Sequence, residues 1–184
     1  MDQFKAIQSG PLKLMLIDDG NFEAVQGQFR QFPDCDYYVV EIAKSYRPQY
    51  DQAGRRTKYG FYTLFNNEIA GLSLLGISSW DCRRGYTGAD TLPHMKGRGI
   101  APRSKPMLFY LAFEILDLNR VETGCIVSNI ASRKSIEKTP GFKFEGVLRE
   151  YGLNSKGEFE DEYRYAILNR DWQEIRGNYK IQVI

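Results

Sequence analysis

The sequence predicts an α/β fold, because two kinds of hydrophobic pattern alternate along its 184 residues. Short runs in which apolar and polar residues alternate are typical of strands. Longer runs with an apolar residue at every third or fourth position are typical of helices. Hydrophobic residues make up 42% of the chain and aromatic residues 14%. That content supports one well-buried core, so we expect a single domain spanning residues 1–184.

Composition excludes several classes of function. A formal net charge of +2 gives no basis for a nucleic acid partner. Cys35, Cys82 and Cys125 are widely spaced without a CxxC pair, so we expect neither a disulfide framework nor a bound metal. No apolar run has the length of a signal peptide or a membrane span, so we expect a cytoplasmic protein with no membrane partner.

In the first half of the chain, the first strand is followed by Asp18 and Asp19, which are candidate caps of the helix expected next. The polar run Asn66-Asn67-Glu68 is expected to turn a hairpin. The predicted elements are a strand at 12–17, a helix with Phe22, Val25, Phe29 and Phe32 on one face, a helix or strand at 37–44, a loop at 45–58, and strands at 59–65, 69–79 and 85–92.

The second half predicts a long helix at 102–118 that buries Leu108, Leu111, Ala112 and Ile115 on one face. The remaining predicted elements are a strand at 121–127, a short helix capped by the run from Asn129 to Ser132 and closed by Gly141, and two long strands at 142–153 and 159–168 joined by a turn at 154–157.

Residues 96–106, KGRGIAPRSKP, form the most informative stretch. A helix start exposes unpaired backbone N–H groups and a partial positive charge, so it normally attracts acidic residues. Here four basic residues surround it, which indicates that a phosphate or pyrophosphate binds there: Lys96, Arg98, Arg103 and Lys105. Gly97 and Gly99 would let the backbone approach that ligand closely. The stretch matches neither a Walker loop nor a dinucleotide fingerprint.

Five segments resemble the GNAT superfamily of acyl-CoA-dependent N-acetyltransferases. Residues 96–101 match its Arg/Gln-x-x-Gly-x-Gly/Ala signature, with lysine in the first position. The other segments are LDLNRVE at 116–122, Asn129-x-x-Ser132, EKTPGFKFEGVLREY at 137–151 and YAILNRDW at 165–172. The sequence of these segments is most similar to the RimJ/RimL-like branch, which contains the ribosomal-protein N-terminal alanine and serine acetyltransferases. The resemblance implies a mixed, mostly antiparallel central sheet flanked by helices.

The resemblance also implies where coenzyme A binds. Backbone amides of Gly97, Arg98, Gly99, Ile100 and Ala101 would hold the pyrophosphate, with charge from Lys96 and Arg98. The end of the preceding strand, Thr91 and Leu92, would pair with the pantetheine arm, and an amide there could stabilise the thioester oxyanion. Asn129 would contact the arm. For Asn129 and Ser132, plain helix capping is the alternative.

For catalysis, the resemblance implies direct attack of an amine on acetyl-CoA in a ternary complex. Asp90 is the candidate general base, acting directly or through water. The tyrosine that serves many relatives as the acid is replaced by Ile136, so Ser132 is the candidate substitute. The expected acceptor is a protein N-terminal α-amino group, which is appreciably neutral at pH 7. A small-molecule amine and a non-catalytic acyl-CoA-binding module are the alternatives. A monomer and a homodimer are both compatible with the sequence.

Overall fold

The computed structural model describes residues 4–33, 36–37, 42–154 and 156–184. Its strands join into one sheet. They are β1 (Ala6–Ser9), β2 (Leu12–Leu16), β3 (Gln49–Tyr50), β4 (Arg56–Phe65), β5 (Glu68–Ser79), β6 (Arg84–Thr91), β7 (Arg120–Ile126), β8 (Lys143–Leu153), β9 (Phe159–Leu168) and β10 (Gln182–Val183). The order across the sheet is β10-β1-β2-β4-β5-β6-β7-β9-β8, and β3 pairs with β4.

The α-helices bounded within the described residues flank the sheet, and they are α1 (Phe22–Phe29), α2 (Ile100–Tyr110), α3 (Ile130–Glu137) and α4 (Asn169–Ile175). A π-helical turn at Leu111–Ile115 continues α2, and another lies at Ile42–Tyr46. Within the described ranges, no helix combines the length and apolar character that crossing a bilayer requires.

The sheet is mixed and mostly antiparallel, as the resemblance implied. Among the strand pairs that the structure describes, only β6 and β7 run parallel, and their pairing covers three residue pairs, from Arg84↔Arg120 to Tyr86↔Glu122. β6 continues to Thr91 and β7 to Ile126 without any further pairing between these two strands. The two strands therefore diverge toward their carboxyl ends and leave a V-shaped cleft, which we call the splay.

Most sequence-predicted elements are present, with boundaries shifted by a few residues. The turn between β4 and β5 is a two-residue hairpin, with Asn66 and Asn67 at φ 51° and 66°, so Glu68 belongs to the strand. Helix α2 starts at Ile100, two residues earlier than expected. Ile115 is 39% exposed rather than buried. The π-helical turn explains this difference, because its wider i→i+5 bonding rotates Ile115 off the apolar face.

Other predictions were incomplete. The loop predicted at 45–58 contains β3 and the first residues of β4, and Arg56 is buried with its Nη2 donating to the Ile17 carbonyl at 2.6 Å. Of the ambiguous segment at 37–44, residues 38–41 lie outside the described residues, and the described remainder is helical. Strands β1 and β10 and helix α4 were not predicted.

The prediction of four cations at the phosphate turn was wrong for Lys105. It lies inside α2, where only 4% of its surface is exposed, and its Nζ donates to Thr87 Oγ1 on β6 at 2.9 Å. Positions 105, 108 and 112 share one helix face, and Leu108 and Ala112 are fully buried. Loss of hydration lowers the pKa of Lys105 from 10.5 to about 7, although the nearby Asp90 carboxylate opposes that shift.

We predict that Lys105→Met raises the free energy of unfolding at pH 7, because methionine fills a similar volume without a buried ammonium. Between pH 8 and pH 9.5 the unfolded chain binds a proton at Lys105 that the folded chain has released. Wild-type stability should therefore rise relative to the variant by about 1.4 kcal/mol per pH unit. Urea unfolding followed by fluorescence of the buried Trp172 measures this difference, and a gap that does not change with pH would contradict the assigned burial.

Candidate active site

The glycine turn connects β6 to α2 and presents backbone donors. Gly97 and Gly99 have φ values of 80° and 69°, which favour glycine, and Gly99 is the N-cap of α2. A Cβ built at Gly97 would have no atom within 4 Å. Among the described residues, no hydrogen-bond acceptor is paired with the amides of Gly97–Ala101. These amides and the helix dipole create a site for an anion.

Three of the four predicted basic side chains lie near this turn, since Lys105 is buried inside α2. Lys96 and Arg98 are exposed within the turn itself. Arg103 is exposed one turn into α2, where its guanidinium lies 5.5 Å from the centroid of the Phe65 ring. Ile100 contributes an amide only, since its side chain is buried in the core. The local charge is therefore positive at the mouth of the splay.

The splay holds a cavity of about 240 Å³. Its walls come from β6, β7, α2, α3 and the helical turn before β3, and they consist of Tyr46, Thr87, Gly88, Ala89, Asp90, Ala101, Lys105, Thr123, Gly124, Ser132, Ser135 and Ile136. Ala101 links this cavity to the glycine turn, so one extended ligand could occupy both. The structure thus brings Asp90 and Ser132 into the same cavity.

The backbone N–H and C=O groups of β6 point alternately toward β5 and toward β7. The Thr87 carbonyl accepts from Thr123 Oγ1 on the β7 side, whereas the Leu92 amide donates to the Ala70 carbonyl of β5. Because alternate residues of a strand direct both backbone groups the same way, Ala89 and Thr91 face the splay. Leu92 does not, and its carbonyl already accepts from Met95. This corrects the expectation that Leu92 pairs with a pantetheine arm.

Asp90 lies on β6 with its carboxylate held by Tyr46, whose hydroxyl donates to Asp90 Oδ2 at 2.7 Å. Side chains of a strand alternate between faces, so Thr87 and Asp90, three residues apart, point to opposite faces of the sheet. Lys105 meets the Thr87 side chain and therefore enters the cavity from the face opposite Asp90. A carboxylate and a lysine consequently flank the splay from its two sides.

The α3 wall contains the predicted contact residues. Asn129 is the N-cap of α3, and its Oδ1 accepts from the Ser132 amide at 3.0 Å, so the capping alternative holds for this pair. Burial is the main cause that raises the pKa of the Cys125 thiol on β7, and the neighbouring Ser132 opposes that shift. Cys125 is therefore a core residue rather than a thiolate nucleophile. Ile136 is 4% exposed and apolar.

Sequence reasoning missed Tyr46 and misplaced Lys105. Nothing in the sequence marks Tyr46, because its contact with Asp90 spans 44 positions. Lys105 did carry a signal, since it shares the helical face of Leu108 and Ala112 that the sequence predicts to be buried. Neither Cys82 nor Cys125 forms a disulfide, and Cys35 lies outside the described residues. Nowhere in the described ranges do three His, Cys, Asp or Glu side chains come together as a metal site.

The chain is similar in sequence to several N-acetyltransferases, although no protein-family model matches it. It is 32% identical over 140 residues to the "Putative ribosomal N-acetyltransferase YdaF" of Bacillus subtilis, covering 76% of this chain and 73% of that protein. It is 28% identical over 148 residues to the "Probable N-acetyltransferase YjcK" of the same organism, covering 78% and 81% respectively.

The fold is shared with solved acetyltransferases. The spermidine N-acetyltransferase of Vibrio cholerae, solved in complex with CoA and spermine, superposes with a TM-score of 0.64 at 18% identity, covering 89% of this chain and 98% of that one. At this identity the likeness shows the fold alone, whereas the sequence relatives show the family. The chain belongs to the GNAT family of N-acetyltransferases, enzymes that use acetyl-CoA to acetylate an amine.

Proposed function

We propose that the glycine turn and the splay together bind acetyl-CoA. The amides of Gly97, Arg98, Gly99, Ile100 and Ala101 hold the pyrophosphate, and Lys96 and Arg98 neutralise its charge. This assignment is supported by the five amides, for which the described residues supply no acceptor, at a helix start with no acidic residue in its first turn. It also explains why the turn is basic, since without an anion those cations would oppose the helix dipole.

The pantetheine arm follows β6 into the splay, where the backbone groups of Thr91 and Ala89 face it. Amide groups of the arm complete hydrogen bonds that β7 would otherwise supply if the strands stayed paired. Asn129 adds a contact through its Nδ2, because its Oδ1 is engaged in capping. Ser132 lines the same cavity and orients the sulfur rather than donating a proton.

Acetyl transfer proceeds by direct attack of a neutral amine on the thioester in a ternary complex. The Ala89 amide, which faces the splay beside Asp90, stabilises the oxyanion that forms on the thioester oxygen. Asp90 accepts a proton from the attacking nitrogen, directly or through a water molecule. The Tyr46 hydroxyl fixes the orientation of that carboxylate. No covalent enzyme intermediate is required.

The acceptor that the cavity fits best is a protein N-terminal α-amino group, as in the RimJ/RimL-like branch. The charge of the cavity supports this acceptor. Its described lining residues include one carboxylate, Asp90, and one lysine, Lys105. A polyamine carries several positive charges and requires several carboxylates, whereas an α-amino group carries at most one. An α-amino group, with a pKa near ~8, also needs less help from a base than a lysine.

An acceptor assay tests this proposal. We expect acetyl-CoA turnover with hexapeptides that begin with a free serine or alanine, and none with the same peptides carrying a blocked N-terminus. We also expect spermidine to be acetylated at least tenfold less efficiently, in terms of kcat/KM. Release of free coenzyme A and the mass of the product report both reactions. Preference for spermidine, or for an internal lysine of the peptide, would contradict the assignment.

We predict that Asp90→Asn lowers kcat by about 100-fold, the lower end of what general base catalysis contributes. The kcat–pH profile should be lowered throughout, because the asparagine amide cannot accept the proton from the attacking nitrogen. Asp81→Asn is the matched control, since Asp81 is exposed in the turn between β5 and β6. A profile for Asp90→Asn that superimposes on that of wild type would remove Asp90 from the mechanism.

A further inference from the structure

Acetyl transfer leaves a thiolate on coenzyme A, and this thiolate needs a proton. The α3 wall of the splay cannot supply one at neutral pH, because its lining residues are Ser132, Ser135 and Ile136. Among the described residues that line the cavity, the groups able to ionise are Tyr46, Asp90 and Lys105. Asp90 already accepts a hydrogen bond from Tyr46 and is assigned to the attacking amine. Lys105 has no role in the chemistry so far.

The position of Lys105 suits a proton donor to sulfur. It lies four residues after Ala101 on the same face of α2, so both line the route from the glycine turn into the splay. Its Nζ contacts Thr87, which directly follows Tyr86, the last residue of β6 that pairs with β7. Lys105 therefore lies at the apex of the V. Asp90 approaches from the other face of the sheet. A thioester bound between Asp90 and Lys105 therefore has the attacking amine on the side of Asp90 and its sulfur on the side of Lys105.

The surroundings of Lys105 do not explain it as a structural residue. An ammonium has three N–H donors, and the Thr87 hydroxyl accepts one of them. Within the described part of the chain, no carboxylate lies within ion-pair distance of Nζ. A buried cation with no carboxylate at ion-pair distance is costly, and an apolar side chain of the same volume would pack there at no such cost. Such an exception to packing rules is typical of a functional position.

We propose that Lys105 is the catalytic acid that protonates the sulfur of coenzyme A as the thioester breaks, an inference that rests on the proposed binding of acetyl-CoA in the splay. The C–S bond breaks and its electron pair goes to sulfur. An Nζ–H bond of Lys105 breaks and an S–H bond forms. The acceptor nitrogen gains the acetyl carbon and loses a proton to Asp90. Transfer of that proton from Asp90 to Lys105 through solvent restores both groups, so the products are an amide and free coenzyme A.

The electrostatics of the cavity support this role. Burial lowers the pKa of Lys105 to about 7, so near neutral pH the ammonium is populated and is more acidic than a thiol of pKa near ~8.5. Across the cavity from Lys105, β6 contributes one charged group, Asp90, and its carboxylate raises the pKa of the lysine. The helical turn before β3 contributes Tyr46, and the lining residues Thr123 of β7 and Ser132 and Ser135 of α3 carry no charge.

The first test does not depend on the acceptor. Coenzyme A bound to wild-type protein is titrated by thiolate absorbance in the ultraviolet, with desulfo-coenzyme A as the blank. The bound thiol and Lys105 titrate as a coupled pair, because the thiolate and the ammonium attract each other. Lys105→Met removes this attraction and should raise the pH at which half of the thiolate absorbance has developed. Lys156→Met is the matched control, because Lys156 is exposed in the turn between β8 and β9. Lys105→Gln serves as a second variant if the methionine variant does not fold.

The second test is kinetic. With a serine peptide or, if that is inactive, spermidine as acceptor, Lys105→Met should lower kcat at least 50-fold while the Kd for acetyl-CoA changes less than threefold. The alkaline limb of the wild-type kcat–pH profile, where the ammonium is lost, should be absent from the variant. Lys105 acting as a base would instead flatten the acidic limb, and that result would overturn the proposal.

Coenzyme A binding and thiol titration distinguish failure of the proposed function from failure of the role of Lys105. If calorimetry detects no binding of coenzyme A to wild-type protein, the proposed function fails and this inference fails with it. If coenzyme A binds but its thiol titrates identically in wild-type and Lys105→Met proteins, the role of Lys105 alone is refuted. A loss of kcat without any change in the thiol titration or in the alkaline limb likewise assigns Lys105 to packing and overturns the acid role.

Discussion

The separation of β6 from β7 after three residue pairs is the constraint from which the active site follows. In an ordinary sheet the backbone groups beyond Tyr86 would be paired across to β7. Here Ala89 and Thr91 direct their backbone groups into a cleft instead, and unpaired backbone groups inside a protein require a partner. A ligand with its own amides, such as the pantetheine arm, supplies that partner. The cleft is therefore both an interruption of the sheet and a binding site for an extended substrate.

The glycine turn adds charge recognition at the mouth of this cleft. Because β6 ends at Thr91 and α2 begins at Ile100, the turn places five amides and the positive end of a helix dipole at the open side of the V. Ala101 then lines the cavity itself, so pyrophosphate recognition and the reaction site are joined through one helix. Lys105, one turn further along, extends the same helix face to the apex of the splay.

The sequence predicted most of the strands and the helix that follows the turn because these features depend on local patterns. The role of the amides of Gly97–Ala101 came from the resemblance to a family and stays a prediction. The sequence also placed Asp90 and Ser132 in a common site through the resemblance to a family. The prediction did not separate Arg103 from Lys105, although the two project from different faces of α2 and Lys105 shares the face that the sequence predicts to be buried. Exposure of the first and burial of the second follow from helical geometry and from packing on β6.

Contacts between distant segments were not predictable. Tyr46 meets Asp90 only because the turn at Ile42–Tyr46 packs beside the centre of the sheet. The occupied amide of Leu92 depends on the register of β6 against β5, which places Ala70 opposite its N–H group. Strands β1 and β10 pair with each other from opposite ends of the chain, and that pairing is likewise set by tertiary structure.

The central claim, that the glycine turn binds the pyrophosphate of acetyl-CoA, is tested most directly by calorimetry on wild-type and Gly99→Glu proteins. We predict micromolar binding to wild type and none detectable to the variant, because a carboxylate would meet the pyrophosphate. Gly54→Glu is the matched control, since Gly54 has a similar φ of 74° and open space around its Cα. NADH should not bind. Equal affinity of folded wild-type and Gly99→Glu proteins for acetyl-CoA would contradict the account.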